Sequence, residues 1–399
     1  MNNNKWLLSI TAGKWQTNGI KEAKKLGLNV ISFDQNKKAE GFKYSDICYQ
    51  CDINNIEFIL KKIHENKIKI SGVICFCSEV GMNSVNIIRN RMNLPCKNNL
   101  YDNLINKIEQ KKAWNKNFLP ITKEWNYFSN INESLIYAKS LKKPFIIKPS
   151  DSSGSRGVTK ISNNYNIKKS LINAFNYSNN SKIIIENFLY GKEFAIEIFV
   201  INKIVKILSI SEKKKIRHTN LTVANEYFTP NLSPLLVSKI NKITRKAINA
   251  LQYNNGPGHL EIVINKNKDI FLLEFAGRGG GFNVYDKYVP LLSGINLPKI
   301  SILQAIGHKI KIHKIKKTRG IIRYFPAKKG KINSIKGIEQ ANKLTSIIAE
   351  SFVKIGDNVK KAKSDGDRLG CLISYHNDYK KMIMNASKAT RLIKFDISL

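Results

Sequence analysis

A lysine that closes an apolar run and is followed at once by small residues can hold phosphate. Such a run is Pro144-Phe-Ile-Ile-Lys148-Pro-Ser-Asp-Ser-Ser153-Gly154-Ser155-Arg-Gly157. A strand would carry Lys148 into the site, and the backbone amides of Ser153, Gly154, Ser155 and Gly157 could wrap phosphate oxygens without obstruction from side chains. The order G-x-x-x-x-G-K-[ST] is absent, so this is not a P-loop of the Walker type. The loop keeps company with charged residues placed at or near the ends of other apolar segments. Lys107 lies upstream, and Glu186, Leu189 and Glu193 follow in Ile-Ile-Ile-Glu186-Asn-Phe-Leu189-Tyr-Gly-Lys-Glu193. Glu261 and Glu274 come later, with Arg278 before Gly279-Gly280-Gly281.

The elements that must position these residues can be read from apolar periodicity. Trp6–Ile10, Asn29–Phe33 and Gly72–Cys77 have strand character, and Thr17–Leu26, Ile56–Glu65 and Ser84–Met92 helical character. This is a βαβαβ pattern, which implies a parallel sheet binding ligands beyond the carboxyl ends of its strands. Asp34 sits where a ribose-binding acid would lie, but Gly13 and Gly19 do not make G-x-G-x-x-G, so a sheet without NAD is expected. Helices are expected at Leu104–Lys116, Asn132–Ser140 and Ile167–Phe175, with strands at Pro144–Lys148 and Lys182–Glu186. Long β-rich stretches are expected at Glu193–Ile210 and His259–Phe275. Beyond Ile310, strands at Thr318–Phe325 and Cys371–Tyr375 precede a helix at Tyr379–Arg391.

In order and spacing, over roughly residues 5 to 395, these segments resemble the ATP-grasp superfamily, especially its carbamoyl-phosphate-synthase-like and L-amino-acid-ligase-like members. The resemblance implies an α/β and α+β multidomain chain, with a Rossmann-like parallel-sheet (pre-ATP-grasp) domain at 1–98. An ATP-grasp domain would follow at 99–310, with a mobile lid at about 140–190, and a closing subdomain at 311–399. Carried over residue by residue, Lys107 and Lys148 would contact the α- and β-phosphates of ATP, the Glu186–Leu189 backbone the adenine edge, and Glu193 the ribose hydroxyls. Glu261 and Glu274 alternate with apolar residues, so both can face one side of adjacent antiparallel strands as oxygen ligands for one or two Mg²⁺ ions. Where many relatives have asparagine two residues after the second acid, this chain has Ala276, which removes one oxygen ligand. Arg278 would hold the transferred phosphoryl group or the acyl phosphate.

The implied reaction joins a small-molecule carboxylate, activated as its acyl phosphate, to an amine, releasing ADP and phosphate. The C-terminal Asp365-Gly-Asp-Arg368-Leu-Gly370 tilts the substrate towards an amino acid or related carboxylate. A bicarbonate-activating carboxylase, a carbamoyl-phosphate-type synthase, a purine-type ligase and a nucleotide-binding regulator without turnover stay open. Lys213, Arg217, His218, Arg319 and Arg323 are candidate substrate contacts.

The formal charge of +38 in 399 residues is spread along the chain rather than clustered, so no specific nucleic-acid partner is expected, although the field would draw in anions. No apolar run approaches the roughly 20 residues that cross a bilayer, and the start lacks a secretory pattern, which points to the cytoplasm. The six cysteines are too sparse for a disulfide scaffold, and Cys48-x-x-Cys51 lacks a partner cluster for zinc. A homodimer is compatible with all of this.

Overall fold

In a computed structural model of the chain, residues 5–98, 105–162, 166–215 and 223–398 are described. The first sheet is parallel: β1 (Trp6–Ile10), β2 (Asn29–Asp34), β3 (Ile47–Gln50) and β4 (Ile70–Ile74) lie in the order β3-β2-β1-β4. Helix α1 (Thr17–Lys25) covers one face, and α2 (Ile56–Glu65) and α3 (Met82–Arg91) pack with the core of the other, where Leu8, Ile31, Ile59 and Ile88 are buried. Strand β4 stops short of the expected Cys77. Past Ile74 the chain turns, and the Cys75 thiol donates to the Ser78 carbonyl at 3.1 Å and that of Cys77 to the Trp15 carbonyl at 2.9 Å.

Helix α4 (Lys107–Lys116) begins three residues later than expected; Leu104 lies outside the described residues. Its N-cap Asn106 accepts from the Ile108 amide, satisfying one of the orphan donors of the first turn. After it come β5 (Trp125–Phe128), α5 (Ile131–Ser140), β6 (Phe145–Pro149), β7 (Thr159–Ile161), α6 (Ile167–Asn176) and β8 (Ile183–Asn187). These strands form a separate antiparallel sheet, β5-β8-β6-β7, with its own core of Phe145, Ile147, Leu171 and Ile185 under α5 and α6. This small sheet carries the Lys148 loop.

The largest sheet contains β9 (Lys192–Ile201), β10 (Ile204–Lys215), β11 (Ala224–Phe228), β12 (Gly256–Ile264) and β13 (Ile270–Ala276). The stretch expected as continuous β-structure at Glu193–Ile210 is a hairpin, broken at Asn202 and Lys203, which both take the left-handed conformation of a tight turn. Helix α7 (Pro234–Ala250) lies between β11 and β12; Ser233 caps it and Pro234 occupies its first turn. Its Leu236, Ile240, Ala247 and Ile248 bury against the β9–β12 face. Trp114 of α4 joins that core and donates its indole N–H to the Ala247 carbonyl at 3.1 Å. Burying such a side chain contributes about 2 kcal/mol and fixes the angle at which α4 meets the sheet.

Further along are α8 (Val289–Ser293), α9 (Leu297–Ala305), β14 (Arg319–Pro326), β15 (Gly330–Lys336), α10 (Ile338–Asn342), β16 (Ile347–Ser351), β17 (Asn358–Val359), β18 (Arg368–His376), α11 (Tyr379–Leu392) and β19 (Lys394–Ser398). Strands β14, β18 and β16, which lie beyond residue 310, extend the large sheet to β13-β12-β9-β10-β11-β14-β18-β16. Strands β17, β15 and β19 form a third antiparallel sheet. Among the described residues, no helix is long and apolar enough to cross a membrane.

Candidate active site

Two sheets and the first domain meet around a cavity of about 720 Å³. Of the residues expected to hold ATP, metal or the transferred phosphoryl group, all line it except Gly157. Lys107 reaches it from the first turn of α4, nearly buried, its ammonium donating to the Ser152 carbonyl at 2.6 Å and lying 3.4 Å from Glu274. Its amide donates to the Ser150 carbonyl at 2.9 Å, so helix and loop are tied through backbone and side chain alike. Gln110, one turn on, locks α4 to β13 by donating to the Phe275 carbonyl at 2.6 Å and accepting from the Phe275 amide at 2.9 Å. That double bond holds Lys107 beside Glu274.

The loop after Lys148 turns at Gly154, Ser155 and Gly157, with φ of 64°, 61° and 73°. At Gly157 a Cβ would lie 2.7 Å from Pro149 and 2.9 Å from Tyr177, so position and conformation both demand glycine. The Ser153 hydroxyl takes an Arg156 N–H at 3.3 Å, and the Gly154 carbonyl accepts from the Asp365 amide at 3.3 Å. The C-terminal Ser364–Arg368 turn therefore sits on the loop. Leu189 lies in the turn between β8 and β9, on the cavity wall with Ile146 and Phe188. Glu193, at the start of β9, pairs with Lys215 and lies 4.0 Å from Lys213.

The Glu186 side chain is taken up by two lysines. Its carboxylate is almost fully buried, one oxygen 2.5 Å from Lys148 and the other 2.6 Å from Lys111. Burial alone would raise its pKa, but the two lysines outweigh that and hold it at about 2.

Glu261 and Glu274 stand directly opposite each other in the β12–β13 ladder and so share a face. Glu261 is 2.5 Å from Lys213 and 3.1 Å from His259, whose other nitrogen meets buried Glu197. Burial disfavours the imidazolium, yet the two glutamates raise its pKa to about 9. For Glu261, burial is outweighed by Lys213 and His259, which hold its carboxyl well below the usual range. Ala276, buried opposite His259, brings no oxygen, and no cluster of three or more His, Cys, Asp or Glu could hold a metal among the described residues. Two facing carboxylates nonetheless fit a hard cation such as Mg²⁺, which takes one or two from protein and fills its shell with phosphate and water.

Arg278 emerges from β13 largely buried, 3.4 Å from Glu79, with its Nε unpartnered. Glu79 follows β4, beyond the carboxyl end of the parallel sheet. Burial opposes its ionisation, but Arg278 and Lys107 keep it ionised below its ordinary value. Trp15, also from the first domain, packs on Phe282 with ring centroids 4.7 Å apart. Residues 141–286 match the ATP-grasp domain family, and residues 323–398 match the L-amino acid ligase C-terminal domain 2.

The chain carries an ATP-grasp domain. Among relatives, the chain is 29% identical over 184 residues to the D-alanine–D-alanine ligase of Buchnera aphidicola subsp. Baizongia pistaciae, covering 43% of its own length and 57% of that enzyme's. It is 23% identical to the formate-dependent phosphoribosylglycinamide formyltransferase of Prochlorococcus marinus subsp. pastoris, covering 98% and 97%. The fold matches that of the L-amino acid ligase from Bacillus licheniformis over the whole of both chains, with a TM-score of 0.83 at 19% identity. Phosphoribosylglycinamide synthetase from Anaerococcus prevotii matches with a TM-score of 0.75 at 22% identity, over 99% and 100%.

Of the residues sequence reasoning passed over, Glu79 had a signal, since it follows a parallel strand at the end where ligands bind. Lys111 and Glu197 had none, because their roles rest on partners distant in sequence, and His259, although two residues from Glu261, is held by Glu197 62 positions away. Lys213, expected as a substrate contact, is committed to Glu261, and Arg323 pairs with Glu226 at 2.7 Å. Arg319 lies over the Tyr379 ring, whereas Arg217 and His218 fall outside the described residues.

Proposed function

We propose that this ATP-grasp chain is a carboxylate–amine ligase that uses ATP and Mg²⁺. The observation that carries the reading is the convergence, in one cavity, of the Lys107–Lys148 phosphate cradle, the facing pair Glu261 and Glu274, and Arg278. A substrate carboxylate would attack the γ-phosphorus of ATP, and an amine would then capture the acyl phosphate, giving an amide, ADP and phosphate. Lys107 and Lys148 hold the polyphosphate, the Glu186–Leu189 backbone meets adenine, Glu193 meets the ribose, and Arg278 meets the charge that develops on the transferred group. Bound by Glu261 and Glu274, magnesium would supply charge neutralisation on the phosphates. The Ser153–Gly157 loop, covered by the Ser364–Arg368 turn, excludes water that would otherwise hydrolyse the acyl phosphate.

The C-terminal match and the fold shared with an L-amino acid ligase support an amino acid as the carboxylate substrate. The test is release of ADP and phosphate from ATP and Mg²⁺ across amino acids, short carboxylates and bicarbonate, with and without amines. Release that requires one amino acid and one amine supports the ligase. Release with bicarbonate alone would replace it with a carboxylase-type reaction, and ATP binding without release with a nucleotide-binding regulator.

A further inference from the structure

Helix α4 buries an unusual face. Lys107, Gln110, Lys111 and Trp114, at i, i+3, i+4 and i+7, all point inwards. Lys107 and Trp114 have tasks already described, and Gln110 is the bolt to β13. Lys111 is different: its side chain is only 1% exposed, it is not among the residues lining the cavity, and its ammonium lies under the Trp125 ring at 5.4 Å. A buried ammonium is costly, and burial lowers the pKa of this one. Its counter-ion is Glu186, at 2.6 Å, the same carboxylate that holds Lys148 at 2.5 Å.

The charge count explains the arrangement. If Glu186 served Lys148 alone, the pair would be neutral, and a neutral pair attracts phosphate weakly. With Lys111 on the second carboxylate oxygen, two ammonium groups share one negative charge and the trio keeps one positive charge. Glu186 fixes where the Lys148 ammonium points, and Lys111 offsets the charge that this fixing would otherwise cancel. We propose that Lys111 is a positioning residue that acts through Glu186 to keep the Lys148 phosphate subsite electropositive. The inference rests on the reading of Lys148 as a phosphate ligand.

A charge-restoring double substitution tests it, read as the Kd for ATP by calorimetry on the full chain. Lys111→Met leaves the pair neutral and should weaken ATP binding at least about tenfold. Lys111→Met with Glu186→Gln removes one charge of each sign, restores the single positive charge on Lys148, and should recover most of the lost affinity. A purely structural role predicts instead that the double variant binds no better than the single one. That result, or unchanged ATP affinity in Lys111→Met, overturns the proposal. If Lys111→Met does not fold, Lys111→Gln, which also leaves the Lys148–Glu186 pair in place and neutral, carries the test; unchanged ATP affinity in that folded variant refutes the idea. Wild-type protein that binds no ATP would instead defeat the proposed function, and this inference with it.

Discussion

Replacing Lys148 by alanine and replacing Glu186 by alanine remove opposite ends of the same ion pair, and the geometry predicts different consequences. In Lys148→Ala, Glu186 keeps Lys111 at 2.6 Å, so no buried charge is left alone, and the fold should lose only about 1–2 kcal/mol. Nucleotide binding should suffer more. A lysine charge about 4 Å from a phosphate oxygen is worth about 4 kcal/mol at an effective dielectric near 20. After desolvation of the lysine, about 2–3 kcal/mol remains, or roughly 30- to 150-fold in Kd. In Glu186→Ala two buried ammonium groups lose their shared carboxylate, which costs about 3–5 kcal/mol, a large part of the roughly 5–15 kcal/mol that holds a domain folded. Thermal melting with calorimetric ATP titration separates the two outcomes: Lys148→Ala should melt within a few degrees of wild type and bind ATP poorly, while Glu186→Ala should melt on the order of 10 °C lower. Equal melting losses in the two variants, or normal ATP affinity in Lys148→Ala, would refute the reasoning.

Glu274→Gln should raise the Mg²⁺ concentration for half-maximal ADP release by about tenfold or more with little change in melting, because the carboxylate is 34% exposed; an unchanged Mg²⁺ dependence would remove Glu274 from the metal site. Arg278→Lys should lower turnover by about 10²–10³ with a smaller effect on ATP binding, measured as kcat against Kd, since an ammonium cannot reproduce the planar fork of donors. Gly157→Ala, forcing a Cβ to 2.7 Å from Pro149 at a φ of 73°, should weaken nucleotide binding; normal ATP affinity would show that the loop adapts. Because the folded-state pKa of Glu186 is depressed to about 2, its contribution to stability is present above about 4.5 and is lost as pH falls towards 2. Acid melting curves of Glu186→Gln should be flatter across that window, and identical slopes would count against the assignment.

The parallel sheet was legible because Leu7, Leu8, Val30, Ile31 and Val73 form short apolar runs bounded by helical periodicity. Strand β3 was not, since Ile47–Gln50 is a four-residue edge with half its side chains exposed and only one aliphatic residue. Helix α7 escaped notice although Ser233 and Pro234 mark its start, because Lys239, Lys242 and Lys246 dilute the apolar stripe. The buried face of α4 was hidden for a deeper reason. Beside Ile108, its buried residues are lysine, glutamine, lysine and tryptophan, so the period that betrays an ordinary surface helix is missing, and only tertiary pairing with Glu274, Phe275 and Glu186 shows why they are inside. The candidate ligands were easier, because strand ends and glycine turns carry a local signature, whereas the cations that neutralise them come from elsewhere in the chain.

That contrast bears on the charge of the chain, in which 67 lysines and arginines face 29 acids. Surface lysines are solvated singly and cost little, so their number says little about function. Carboxylates are scarce, and Glu79, Glu186, Glu193, Glu197, Glu261 and Glu274 gather at or beside the cavity, each against a lysine, arginine or histidine. A buried cation cannot be left alone as a surface one can, because an unpaired charge in the interior costs several kcal/mol. The acids are therefore fixed by the cations gathered at the cavity, and where one of them is to take a metal, its lysine or histidine must yield. Lys213 and His259 at Glu261, and Lys107 at Glu274, are the groups that would do so, which would link binding of a metal to movement of side chains that line the cavity.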